Sequence, residues 1–191
     1  MGDIMFKLLI NIFVSLFVVK KKRAYVKYRM LGAGNRRAIR RKAVACGTHL
    51  DCTGQYPCVI NRKTTIGDYV TINGLIIQGN GEVKIGSYVH FGSESMILSD
   101  SHNYEGELLP FDDTVIAKTV TIGDFCWFGS RVTILPGATI GEGAIIQAGA
   151  VVHGEIPPCA IAGGNPAKVF NMRNVEHFYQ LKNEKKFYIR G

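Results

Sequence analysis

Residues Val120–Val169 read VTIGDFCWFGSRVTILPGATIGEGAIIQAGAVVHGEIPPCAIAGGNPAKV, and a large apolar residue returns at every sixth position: Ile122, Phe128, Ile134, Ile140, Ile146 and Val152. A period of six is neither the 3.6 of a helix nor the plain alternation of a strand. It fits short strands joined by tight turns, each unit sending one large side chain inward. Glycine follows several of these markers directly (Gly123, Gly129, Gly141), and four residues after the markers stand Val132, Ala138, Ala144 and Ala150. Small or β-branched residues suit corners where a bulkier side chain would collide. Strands of this kind stack into coils about 4.8 Å apart, each pairing its backbone with the coils on either side. The expected fold class is therefore an all-β solenoid. A β-sandwich is the alternative for a valine- and isoleucine-rich chain, but its strands would not keep one spacing without slippage.

Working toward the N-terminus, the same pattern reads Ile66 and Ile72, then Ile85, Phe91 and Ile97, with a one-residue slip between Ile72 and Ile85. Gly67, Gly86, Val70, Val89 and Ser95 keep the same offsets. Between Ile97 and Ile122 the repeat breaks for Asp100-Ser101-His102-Asn103-Tyr104 and a polar stretch ending at Thr119. A solenoid tolerates insertions because each coil touches only its neighbours, so a long one is a natural place for function. A protruding loop is expected at about 100–119.

The block Val120–Val169, with its GNPAK ending, resembles the hexapeptide-repeat acyltransferases, most closely the O-acetyltransferases of sugars and bacterial surface polysaccharides. The likeness extends over roughly residues 60–170. It implies a left-handed parallel β-helix with three hexapeptides per turn, and a homotrimer with active sites between subunits. It also implies acetyl-CoA as the acetyl donor, with no metal. The left hand comes from the resemblance alone, since parallel crossovers are otherwise right-handed. The expected organisation is a helical, apolar and basic arm over 1–45, the β-helix over 46–170, and a helix or cap over 171–191.

Acetyl transfer from a thioester to a hydroxyl needs a base for the acceptor proton, and imidazole does this well at neutral pH. A histidine in a polar loop is ordinarily a surface residue. The resemblance, however, places the family's catalytic histidine at His102, making it the expected general base. It also implies that Trp127 lines the cleft near the pantetheine arm. The tetrahedral oxyanion needs a backbone donor, for which Gly129 and Ser130 are candidates. Gly149, Ala150, Ala162, Gly163 and Gly164 permit close backbone approach of pantetheine, and Lys168 and Arg173 are candidate phosphate contacts. Asn73, Asp100, Asn103 and Tyr104 are candidates for acceptor contacts. In one place the chain departs from its likeness: Gly154 stands where many members carry a lysine near the CoA phosphates.

Charge is unevenly placed in this chain of 191 residues and net charge +8. Lys20–Lys42 holds eleven Lys/Arg and no acid, whereas Ala43–Asn165 holds five against twelve acids. Before the basic run comes the uncharged stretch Leu8–Val19, too short for the ~20 residues of a spanning helix and lacking the layout of a secretory signal. The arm is expected either to lie on the cytoplasmic membrane surface or to pack within the trimer. No recognised nucleic-acid module accompanies its cations, so no nucleic-acid partner is expected. Five cysteines without zinc-site spacing suggest reduced thiols and a cytoplasmic protein. Asn174–Tyr188 reads as a short amphipathic helix capping the last coil.

The favoured function is acetyl transfer from acetyl-CoA to a sugar hydroxyl of a bacterial surface polysaccharide or its precursor. The alternatives are N-acetylation of an amino sugar and a xenobiotic, chloramphenicol-type acetyltransferase. A metal hydrolyase similar to the γ-type carbonic anhydrases would need three clustered histidines, which the spacing does not offer. A non-catalytic scaffold would not need the His102 loop.

Overall fold

The computed structural model describes residues 2–53 and 55–189, without the side chains of 2–19 and Lys22. It is a left-handed β-solenoid of about six turns with two helices. Three parallel sheets form its faces. The first runs from Ala45–Cys46 through Thr64–Ile66, Val83–Ile85, Val120–Ile122 and Thr139–Ile140 to Glu155–Ile156. Leu50–Cys52, Val70–Ile72, His90–Phe91, Trp127–Phe128, Ile145–Ile146 and Ala160–Gly163 make the second. The third contains Ile76–Gln78, Met96–Leu98, Thr133–Ile134 and Val151–Val152.

Marker pairs with marker from coil to coil: Ile122 with Ile140, Phe128 with Ile146, Ile134 with Val152. Each step is eighteen residues, three hexapeptides per turn. Every marker is buried, as are the residues four positions later, Val132, Ala138, Ala144 and Ala150. Phe91 and Phe128 stack inside the coil with centroids 4.6 Å apart. Where a glycine follows a marker, close approach requires it: a Cβ on Gly123 would come within 2.7 Å of Glu142 N.

The corners share a backbone solution. The third residue after a marker takes the left-handed conformation, as at Tyr69, Tyr88, Phe125, Glu94 and Arg131 (φ 57–59°) and at Gly143 and Gly149. Non-glycine residues pay a small strain there, and at the corner between the first and second faces their rings offset it. His49, Tyr69, Tyr88 and Phe125 stack in one ladder with centroid spacings of 4.3, 4.7 and 4.9 Å.

The slip between Ile72 and Ile85 is an enlarged corner at Gly79-Asn80-Gly81. Asn61 Nδ2 donates to both Gly79 O and Gly81 O, and Asp100 Oδ2 accepts from Asn80 N–H at 2.7 Å.

Helix α1 spans Gly2–Lys42 as one element. Its end closes the first coil: Ile39 is buried in the core, and Asn35 Nδ2 donates to Thr53 O and Tyr56 O while its Oδ1 accepts from Cys58 N–H. The coil thus begins at Ala45, one turn before the repeat becomes readable. The side chains of Leu8–Val19, on which the membrane expectation partly rests, fall outside those described, and no described helix is long and apolar enough to cross a membrane.

The C-terminus corrects one expectation. The last coil is covered by the strand Lys168–Met172, which folds back antiparallel on Ala160–Gly163 and straddles the expected boundary at 170. Helix α2 (Val175–Asn183), shorter than expected, runs along the side of the coil and has no buried residue. Phe178 meets Phe125 edge-on, and Phe187 tilts against Tyr88 and Phe125. The segment is a strap seated on the aromatic ladder, because that corner offers apolar ring edges whereas the last coil's edge is already paired.

Candidate functional site

The insertion folds as a two-stranded hairpin, Asp100–His102 against Val115–Ala117, with His102 opposite Val115. It leaves the corner between the third and first faces. The His102 ring is exposed and stacks on Phe111, centroids 4.0 Å apart and planes 16° from parallel. The loop beyond is held by its own polar side chains. Asn103 Nδ2 donates to Thr114 Oγ1, and Asn103 Oδ1 accepts from Glu105 N–H. Asp112 accepts from the Thr114 hydroxyl and N–H and from Glu107 N–H, bonds that hold its carboxyl below the usual range. A polar framework thus fixes the backbone that presents the imidazole.

The other candidates divide by edge. Asp100 shares the His102 edge, but its carboxylate is taken by Asn80 N–H and Nδ2. Tyr104 is exposed at the loop. Gly154 (φ 68°) lies on this edge too, with open space where a Cβ would stand. So does Lys118, which sequence reasoning missed: its Cδ lies 3.3 Å from the Cβ position at Gly137, one coil before Gly154.

A second set follows the corner between the second and third faces. Asn73 accepts from the Thr53 hydroxyl and donates to Ser93 Oγ at 2.6 Å. Ser130 Oγ accepts from Ser93 N–H, and Ser130 O from Gly149 N–H. Gly164 O then accepts from Val151 N–H. At Gly149 (φ 74°) a Cβ would meet nothing within 4 Å, which leaves this edge open to a chain-like ligand. Lys168, opposite Gly163, stands exposed at its end. Trp127 projects from the second face beside this edge, 52% exposed.

Five candidates are placed otherwise than expected. Ala150 and Ala162 turn into the core, because their positions face the coil interior. A Cβ at Gly163 would strike Gln147, so this glycine serves the packing of the return strand. Gly129 N–H donates to Ile146 O within the ladder, leaving Ser130 as the oxyanion candidate of the two. Arg173 belongs to the aromatic corner, donating to Gly143 O at 2.6 Å with its guanidinium 5.6 Å from the Phe178 ring centroid. It does not share an edge with Lys168.

In a three-faced coil the corner carrying His102 lies opposite the second face, which carries Trp127. One chain therefore presents the two groups in opposite directions.

Residues 119–154 match the bacterial transferase hexapeptide pattern of six repeats. Over 112 residues the chain is 30% identical to the putative colanic acid biosynthesis acetyltransferase WcaF of Escherichia coli strain K12, spanning 58% of this chain and 59% of that relative. Over 53 residues it is 55% identical to the putative acetyltransferase SAR2635 of Staphylococcus aureus, 28% of this chain and 27% of the relative. The match thus spans less than two thirds of either relative's length. Among solved structures, a galactoside acetyltransferase in complex with coenzyme A superposes with TM-score 0.63 at 25% identity, covering 80% of this chain and 72% of that one. A hexapeptide-repeat acetyltransferase of Vibrio cholerae, VCA0836, complexed with acetyl-coenzyme A, gives 0.61 at 25% identity, covering 74% and 78%. By its repeat and its coil, the chain is similar to the hexapeptide-repeat, left-handed β-helix acyltransferases.

Proposed function

We propose that this protein transfers an acetyl group from acetyl-CoA to a hydroxyl of a sugar in a bacterial surface polysaccharide or its precursor. The acceptor O–H gives its proton to the His102 imidazole as the oxygen attacks the thioester carbonyl. The oxyanion is held by the Ser130 N–H. Collapse expels the CoA thiolate, which takes the proton back from His102. No covalent enzyme intermediate is needed.

The observation that carries this reading is the opposite orientation of His102 and Trp127. A cleft containing both forms only when the His102 corner of one copy meets the second face of another, which is what a cyclic homotrimer provides. Coenzyme A would lie in that cleft along the open Gly149–Gly164 edge, with Lys168 near its phosphates. Lys118, on the facing edge, supplies a cation near the place left vacant at Gly154.

The test is release of free CoA thiol from acetyl-CoA across an acceptor panel of sugars, nucleotide-linked amino sugars, chloramphenicol and lipid-linked oligosaccharides, with wild type and His102→Ala. Turnover with a sugar hydroxyl, reduced on the order of a hundredfold or more in the variant, supports the reading. Turnover confined to amines or chloramphenicol moves the reading to the N-acetyl or xenobiotic alternatives. Near-normal turnover by His102→Ala removes the base assignment.

A further inference from the structure

A groove of about 950 Å³ runs along the second face, between α1 and the C-terminal strap, and His102 is not among its lining residues. Its floor carries the outward side chains of Asp51, Thr71, His90 and Trp127 from four successive coils. One wall is a single face of α1: Tyr25, Tyr28, Arg29, Gly32 and Arg36 recur at the three- and four-residue steps that align helical side chains. The other wall is the strap, contributing Arg173, Lys182, Lys186 and Phe187.

Charge and aromaticity in this groove are both one-sided. Arg29, Arg36, Arg173, Lys182 and Lys186 face a single carboxylate, Asp51. Four of these cations already have partners: Arg36 pairs with Asp51 at 3.7 Å, Arg173 donates to Gly143 O at 2.6 Å, Lys182 pairs with Glu142, and Lys186 with Glu184 at 2.6 Å. The ion pairs are partly exposed, their side chains 23–65% accessible, and such pairs are individually weak, so a multivalent anion can compete for the same groups. Arg29 leans over Tyr25, 6.0 Å from the ring centroid. Tyr25 and Trp127 are more than half exposed. The rings of the corner ladder face one another, so the platforms left for a planar or pyranose ring are Trp127 and the tyrosines of α1.

We infer that this groove binds the acceptor as a diphosphate ester, its diphosphate between the two cationic walls and its sugar directed along Trp127. The inference rests on the proposed acetyl transfer and deepens it by naming the acceptor's class. A diphosphate fits because it carries two linked phosphoryl groups, one for the cations of each of the two opposing elements. The same chemistry comes from two sources, a nucleoside diphosphate sugar and a lipid diphosphate sugar.

Trp127 is the single tryptophan of the chain, so its fluorescence reports occupancy without any turnover. Wild-type protein would be titrated with uridine diphosphate, farnesyl diphosphate, inorganic pyrophosphate and coenzyme A. Saturable quenching by uridine diphosphate or by farnesyl diphosphate is expected, and whichever acts identifies the source. In Arg29→Glu/Lys186→Glu the affinity should fall on the order of tenfold or more, with an unchanged melting temperature and a flatter salt dependence. The same titration on His102→Ala should be unaltered, so loss of acetyl transfer and loss of binding are read separately. No saturable response to either ester, equal binding of inorganic pyrophosphate, or displacement of the esters by coenzyme A would each overturn the inference.

Discussion

The imidazole of His102 rests against the ring of Phe111, nine residues further along the same loop. Stacking of this kind contributes about 0.5–1.5 kcal/mol and limits how the imidazole can turn. Phe111→Ala should lower kcat by up to about tenfold, far less than His102→Ala, with a smaller effect on KM for acetyl-CoA. Steady-state kinetics on the two variants compare these directly. Identical losses would mean that Phe111 itself touches substrate.

Asp112 organises that loop, and its depressed pKa fixes the sign of a pH effect. The hydrogen bonds it accepts stabilise the loop fully above the ordinary carboxylate value, about 3.9, and are lost as pH falls through the lower folded value. Amide protection at Glu107 and Thr114, relative to the intrinsic exchange rate at each pH, should fall at the acid end. Asp112→Asn should produce the same loss of protection at pH 6. Unchanged exchange in that variant would show that the hairpin holds the loop alone.

Phe128 is fully buried and stacked on Phe91. Phe128→Ala should cost about 3–5 kcal/mol, seen as a large drop in thermal midpoint. Trp127→Ala, one residue earlier but pointing outward, should leave the midpoint nearly unchanged. This contrast checks the inward and outward alternation on which the site assignment depends.

Lys118 should matter to the donor rather than to the chemistry. Lys118→Ala is expected to raise KM for acetyl-CoA roughly two- to fivefold, as befits one exposed charge contact, with kcat little changed. A fall in kcat at constant KM would place Lys118 near the reacting atoms instead.

The coil was legible in the sequence wherever the period held. Ile122 to Val152 maps onto two full turns without exception, and even the slip at Ile72–Ile85 marked a real corner, at Gly79–Gly81. The first coil was not legible, because Thr53, Tyr56 and Cys58 are held by Asn35 of α1, a contact with no local signal. His102 was readable as the opening of an insertion. That it and Trp127 point opposite ways was implicit in eighteen-residue spacing, but an insertion has no place in that count. Asn174–Tyr188 read as an amphipathic pattern, yet only the aromatic ladder beneath Phe178 and Phe187 explains a strap rather than a cap.

The arm joins an apolar run to a basic one in a single helix, an arrangement suited to an anionic lipid surface. Deleting residues 1–23 should shift the protein from the membrane fraction of a lysate to the soluble one, on fractionation at moderate salt. An unchanged distribution, with altered oligomeric size, would assign the arm to packing between copies.

If one copy lends the base and its neighbour the second face, His102→Ala and Trp127→Ala chains should rescue each other. Each variant alone should be nearly inactive, while equal mixtures, unfolded and reassembled together, should regain about a quarter of the wild-type sites. Thiol release by the mixed assembly, set against the two parents treated identically, is the decisive measurement. Recovery near that fraction is expected, whereas a mixture no more active than its parents would contradict a cleft shared between chains.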